Sequence, residues 1–178
     1  MMKKVLLVSL VALMTGCTTV KNEDLFGESV KVPFMSGEVI LTISEKGQFE
    51  SLTASGVARV TSSLPSAREE AFLIANLRAK QKIVEFMETE MEGEKFVKNT
   101  TASIQKSRAF GSPSVNDIDS NIAYEVQENI TSRARSILRG VHVESTEYNP
   151  NSNTLKVTVR TGVREISAAS QVRSLMNR

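Results

Sequence analysis

PSAREEAFLIANLRAKQKIVEF, residues 65–86, is the stretch on which the fold turns. Phe72, Ala75, Ala79, Ile83 and Phe86 recur at spacings of 3, 4, 4 and 3, which lines one face of a 3.6-residue helix. Pro65 suits a helix start, and Ser66 with Glu69 three residues on has the form of a capping box. Ala71, Ala75 and Ala79 form a ridge of small side chains that would let this helix lie close to a sheet. The helix is expected to run to about Met91 and to end near Gly93.

Working outward, both flanks read as strands. Upstream, Val39, Leu41 and Ile43 alternate with Ile40, Thr42 and Ser44, and Lys46-Gly47 reads as a turn. Phe49 to Val60 is a second extended stretch, with Leu52, Ala54, Gly56 and Ala58 on one face and Val57 on the other. Gly56 inside a strand suggests a bulge or a close backbone approach. Downstream, residues 94–110 fit neither period, and Phe110 to Ser114 reads as a loop. A second long helix is expected over 116–138, lined by Ile118, Ile122, Val126, Ile130, Ala134 and Ile137 and stopped by Gly140. A hairpin follows: Val141 and Val143 begin one strand, Leu155, Val157 and Val159 alternate along the other, and Asn149 to Asn153 has the composition of its loop. Arg164 to Met176 can form a terminal helix with Ile166, Ala169, Val172 and Leu175 or Met176 inside. This order predicts an α+β fold: an antiparallel or mixed sheet packed on one face by two longer helices.

The N-terminus carries a different signal. Lys3 and Lys4 precede an apolar run from Val5 to Met14 broken only by Ser9, and Thr15-Gly16-Cys17 follows. A run of about ten residues is half what a bilayer-spanning helix needs and fits a secretory leader. The small pair before a cysteine resembles the lipobox of bacterial lipoproteins, in which the thiol takes a diacylglycerol and becomes residue one of the mature chain. Met14 stands where that pattern usually has Leu, Val or Ile. The plainer alternative is an ordinary leader with an incidental cysteine. Against it, Cys17 is the only cysteine of the 178 residues, so it has no disulfide partner in the chain. Acyl methylenes contribute about 0.8 kcal/mol each on burial, so two or three chains anchor durably. Thr18 stands where an Asp would resemble the inner-membrane retention signal, which implies transfer to the outer membrane. The expected organisation is a leader over 1–16, a lipidated flexible tether over 17–35, and a single domain over 36–178.

Composition narrows the function. Apolar residues make up 40% of the chain and aromatic ones 5%, with no Trp, so the core must be aliphatic. From Cys17 to Ile130 there are 12 basic and 17 acidic residues; from Thr131 to Arg178 there are 8 basic and 3 acidic. Such asymmetry can orient contact with a second copy or an anionic surface, and Arg133, Arg135 and Arg139 are the candidate interaction residues. Their bland reading is a solvated face. An exported location and the lack of interleaved aromatics argue against nucleic acid as the partner of these arginines.

Catalytic patterns are not found. His142 is the only histidine and falls in a strand, so no nitrogen-and-sulfur metal site can be assembled around it. No Gly-x-Ser-x-Gly, Walker or Gly-x-Gly-x-x-Gly pattern occurs, and no cofactor is implied. Glu85, Glu88, Glu90, Glu92 and Glu94 cluster at one helix end and read as a solvated face, although carboxylates can pair in space in ways a sequence does not reveal.

From Ser55 to Val163 the chain resembles the family of small bacterial outer-membrane lipoproteins that includes the flagellar-assembly lipoprotein FlgP. The likeness rests on Gly56-Val57-Ala58, on Ala67-Arg68-Glu69-Glu70-Ala71 with Ala75 and Ala79, on Ile137-Leu138-Arg139-Gly140-Val141-His142-Val143, and on the Leu155 to Val159 strand. The resemblance implies a non-enzymatic part of an envelope assembly, in the flagellar case a disk or ring beneath the outer membrane. The expectation is therefore an outer-membrane-anchored structural lipoprotein that faces the periplasm and associates with itself or with other envelope proteins. The alternatives are a periplasmic module binding a peptide, lipid or glycan, which a deep apolar pocket would favour, and a hydrolase, which a buried carboxylate pair or a polar cleft around His142 would favour.

Overall fold

The computed structural model describes residues 29–44, 46–108 and 116–176. The expected leader, Cys17, most of the expected tether and the expected 110–114 loop lie outside them. The fold is α+β. Among the described residues five strands form one antiparallel sheet: β1 (Val30–Phe34), β2 (Val39–Ile43), β3 (Phe49–Arg59), β4 (His142–Asn149) and β5 (Thr154–Gly162), in the order β1-β2-β3-β5-β4. Four described α-helices accompany it: α1 (Pro65–Glu85), α2 (Glu94–Arg108), α3 (Asn116–Arg139) and α4 (Val163–Met176).

The register puts one set of side chains on the helix-covered face. Val32 pairs with Leu41 and Leu41 with Leu52; Ala54, Gly56 and Ala58 pair with Val159, Val157 and Leu155. All of these are buried. The opposite face carries Lys31, Thr42, Thr53, Ser55, Val57, Arg59, Lys156 and Arg160, exposed or half-buried. Among the described residues the sheet is thus covered on one side, the usual arrangement for an antiparallel sheet with alternating strands.

Helix α1 lies across β3 and β5 on a line of Ala67, Ala71, Ala75, Ala79 and Ile83, each buried. The expected alanine ridge is therefore one residue longer than the sequence suggested. Phe72, expected in that line, is half-buried at its flank. The reason Gly56 is glycine is now visible: a Cβ there would meet the Ala75 carbonyl oxygen and stand 2.6 Å from the Ala79 nitrogen. It marks a close approach, with no break in the strand register at that position. The expected capping box does not form. Pro65 occupies the first turn and holds Leu64 extended as the N-cap, with no side-chain cap, so Ser66 already lies inside the helix. Past Glu85 the chain widens into a π-turn over Phe86–Glu90, and Gly93, at φ +144°, allows the turn into α2.

The ambiguous 94–110 stretch is α2 over most of its length. Phe96 docks it on β1 through an aromatic cluster: Phe34 to Phe96 is 5.3 Å, Phe34 to Phe86 is 4.9 Å, and Phe86 to Phe96 is 6.4 Å between ring centres. β1 corrects the expected domain boundary, because Val30–Phe34 lies within the expected 17–35 tether yet pairs with β2 as part of the sheet. Val30, Val32 and Phe34 are buried in strict alternation with exposed Lys31 and Pro33. Pro33 is tolerated because β1 is an edge strand.

Helix α3 packs along α2 and reaches the end of the sheet near the β2–β3 turn. Ile122 lies over Gly47, and Ile130 and Ile137 are buried. Ile118, expected in the core, is exposed, and Asp119 beside it is buried instead. At its other end Gly140 donates to the Ser136 and Ile137 carbonyls, and the buried Thr161 hydroxyl donates to Ile137 at 2.9 Å. The terminal helix is looser than expected: Ile166 and Ala169 are half-buried, while Val172, Leu175 and Met176 are exposed.

Candidate interaction surfaces

The surface features worth weighing are two sheet edges, a bare sheet face, a recess, the three arginines and the outer side of α1. The edges differ. β1 spans five residues and includes Lys31 and Pro33, a charge and a missing N–H that discourage further pairing. β4 spans eight residues with no Pro and no Lys, and among the described residues no strand lies beyond it in the sheet. It is exposed along nearly its whole length, with Val143 and Tyr148 turned toward the helix side at 36% and 38% exposure. A register shift between Val143 and Ser145 bends it locally.

A third edge is partly closed by α1. β2 ends its pairing at Ala54, so β3 runs on past it with free carbonyls. Arg78 donates to the Val57 carbonyl at 2.6 Å, and Lys82 donates to the Ser55 carbonyl at 2.9 Å while pairing with Glu38 at 2.5 Å. These two cations therefore serve the sheet rather than any partner. Arg68 is similarly occupied, 4.9 Å over the Tyr148 ring.

Arg133, Arg135 and Arg139 are all exposed on α3, but they do not form one cluster. At 3.6 residues per turn, Arg135 and Arg139 share a face and Arg133 points about 200° away from Arg135. Arg133 instead lines a half-open recess of 290 Å³ with Gln48, Phe49, Asn129 and Val163. His142 is exposed at the start of β4, its Nδ1 3.4 Å from the Gly140 carbonyl oxygen. The carboxylates at the end of α1 do not converge: Glu90 is taken by Lys95 at 2.7 Å, and Glu88, Glu92 and Glu94 face solvent. Among the described residues no group of three or more His, Cys, Asp or Glu side chains could hold a metal ion, and no helix is long and apolar enough to cross a membrane.

The feature that sequence reading missed is the outer side of α1. That helix was assigned one apolar face, toward the sheet. Leu73 and Leu77, on the opposite side, are 58% and 67% exposed, and Ile74 between them is 37% exposed. A two-sided helix shows a weak amphipathic signature, and the stronger alanine line concealed the second stripe. The chain matches no family model, no curated protein and no solved structure.

Proposed function

We propose that this chain is an assembly lipoprotein of the bacterial cell envelope, anchored in the outer membrane by lipid on Cys17 and built to join copies of itself or other envelope proteins. The observation that carries the reading is the eight-residue edge strand β4, beyond which no described strand pairs, on a sheet whose second edge is blunted and whose outer face no described helix covers. Such an edge offers backbone donors and acceptors to a further strand. The lipobox pattern at Thr15-Gly16-Cys17 supports the anchor, and the family resemblance points to a flagellum-associated disk or ring component. The arginines contribute as Arg135 with Arg139 on one side of α3 and Arg133 on another, orienting encounters that strand or apolar contact then stabilises. Exposed ion pairs contribute only about 0–1 kcal/mol each, so charge alone does not hold an assembly. A shared membrane raises local concentration and makes weak contacts sufficient.

Two measurements test this. Intact mass of membrane-extracted protein should show added acyl mass that Cys17→Ser abolishes; a wild-type chain without it removes the anchor. Amine crosslinking in intact cells, with sedimentation velocity of the extracted protein at low and high salt, should show association that falls with salt and weakens further when Arg135 and Arg139 are changed to Glu. A monomer in both settings would shift the preference to a ligand-binding module, for which the recess beside Arg133 is the starting point.

A further inference from the structure

From the outer side of α1 we infer that two copies of this chain pair through α1 in antiparallel fashion, about a twofold axis passing beside residue 75. This deepens the assembly reading and rests on it for the membrane confinement that brings copies together.

Opposite the alanine line, α1 presents Ser66, Glu70, Leu73, Leu77, Lys80 and Val84, at spacings of 4, 3, 4, 3 and 4. That is the heptad spacing of a helix-to-helix seam. Ser66, Glu70, Leu73, Leu77 and Lys80 are exposed and Val84 is half-buried. The contacts of α1 with the sheet are made by its far side, toward β3 and β5.

The order along this seam is self-complementary. Laid against an inverted copy of itself about residue 75, Leu73 meets Leu77, Glu70 meets Lys80 and Ser66 meets Val84, each pair occurring twice. This is what a twofold interface requires, since one patch must complement itself. A parallel arrangement would instead set Glu70 against Glu70 and Lys80 against Lys80, which like-charge repulsion disfavours. Glu70 and Lys80 cannot satisfy each other within one helix, because ten residues separate them by about 15 Å. Neither forms an ion pair elsewhere among the described residues. The apolar centre flanked by opposite charges thus has a partner chemistry that a second copy supplies. The seam from 66 to 84 is about 27 Å long. That is a small contact, suited to chains already held on one surface.

The test uses the full-length chain in its membrane. Glu70→Cys and Lys80→Cys chains carrying different tags are co-expressed and oxidised, and the products are resolved without reductant. A disulfide needs Cα atoms within about 7 Å, so the antiparallel seam links 70 to 80 between chains. The link should form in the mixture and in neither variant alone beyond the wild-type background, which chains left unlipidated at Cys17 set. Links within Glu70→Cys alone would mean parallel pairing and overturn the inference. No link in the mixture, while amine crosslinking still joins wild-type chains, would overturn the α1 seam and leave the assembly reading standing. No link by either chemistry would remove both. Independently, Glu70→Lys should weaken association of the extracted chain by about threefold to tenfold, and Glu70→Lys/Lys80→Glu should restore it. Failure of that double change to restore association would count against the seam. Both positions are exposed, so neither change threatens the fold.

Discussion

Gly56→Ala is the most discriminating single change, because two physical effects predict opposite signs. Strand propensity favours it: a glycine inside a strand is destabilising by about 0.5–1 kcal/mol relative to alanine, so a methyl with room to sit would stabilise the fold. The packing forbids it. The added Cβ would overlap the Ala75 carbonyl oxygen and come within 2.6 Å of the Ala79 nitrogen. Both obstacles are helix backbone and cannot rotate aside, so α1 as a whole must lift. Lifting it loosens the contacts of Ala67, Ala71, Ala75, Ala79 and Ile83 with β3 and β5, all of them buried. Overpacking a filled core costs about 1–3 kcal/mol, and a rigid backbone obstacle places this case at the upper end. Set against the propensity gain, a net loss of about 2–2.5 kcal/mol lowers Tm by roughly 4–10 °C for a chain of this size. Thermal and urea unfolding followed by circular dichroism would measure it, with Val57→Ala, on the exposed face next door, as the control that should stay within about 0.5 kcal/mol. A Tm for Gly56→Ala equal to or above wild type would refute the close approach and with it the placement of α1.

Three further expectations follow from single contacts. Ala79→Asp puts a carboxylate at a fully buried position in the α1–sheet contact and should cost at least about 3 kcal/mol; normal unfolding of that variant would put Ala79 on the wrong side of the helix. Thr161→Val removes the hydroxyl that donates to the Ile137 carbonyl at 2.9 Å and should cost about 1–2 kcal/mol in urea unfolding, with the end of α3 exchanging its amides faster. His142→Ala changes an exposed side chain and should leave both stability and cellular phenotype intact; clean loss of function in a stably folded variant would revive a catalytic role for that residue.

How much was legible in the sequence depended on whether a signal was local. An export leader or a lipobox, where a chain carries one, is read as a short extended segment, so the expectation drawn from residues 1–17 rests on local sequence and needs no fold. The same holds for α1, β3 and β5, where one face is buried along the element and the 3.6 or 2.0 period is nearly complete. β1 shows the limit: its alternation of Val30, Val32 and Phe34 is plain in hindsight, but Pro33 disguised it, and only its place at the sheet edge makes a proline acceptable there. α2 was undecidable for the opposite reason. Its core contacts are few, and Phe96 earns its position from Phe34 and Phe86, which lie ten and more residues away in sequence.

By itself, then, the sequence determined the two long helices, the strand pairs and the α+β class, because burying one face of an element leaves a periodic trace in its own residues. It also carried the heptad on the outer side of α1, and the small side chains of the alanine line already favoured that line as the one that meets the sheet. Tertiary structure decided how close that contact is. The alanine line can approach a strand backbone closely enough to demand Gly56, while Leu73 and Leu77 are too large to do so, and the larger side chains are left facing outward. It decided too that Arg78 and Lys82 cap the free carbonyls of β3, and that Arg133 parts company with Arg135 and Arg139. Those outcomes depend on which strands end early and which helix face is covered, and such facts belong to the assembled fold because they arise from contacts between segments far apart in the chain.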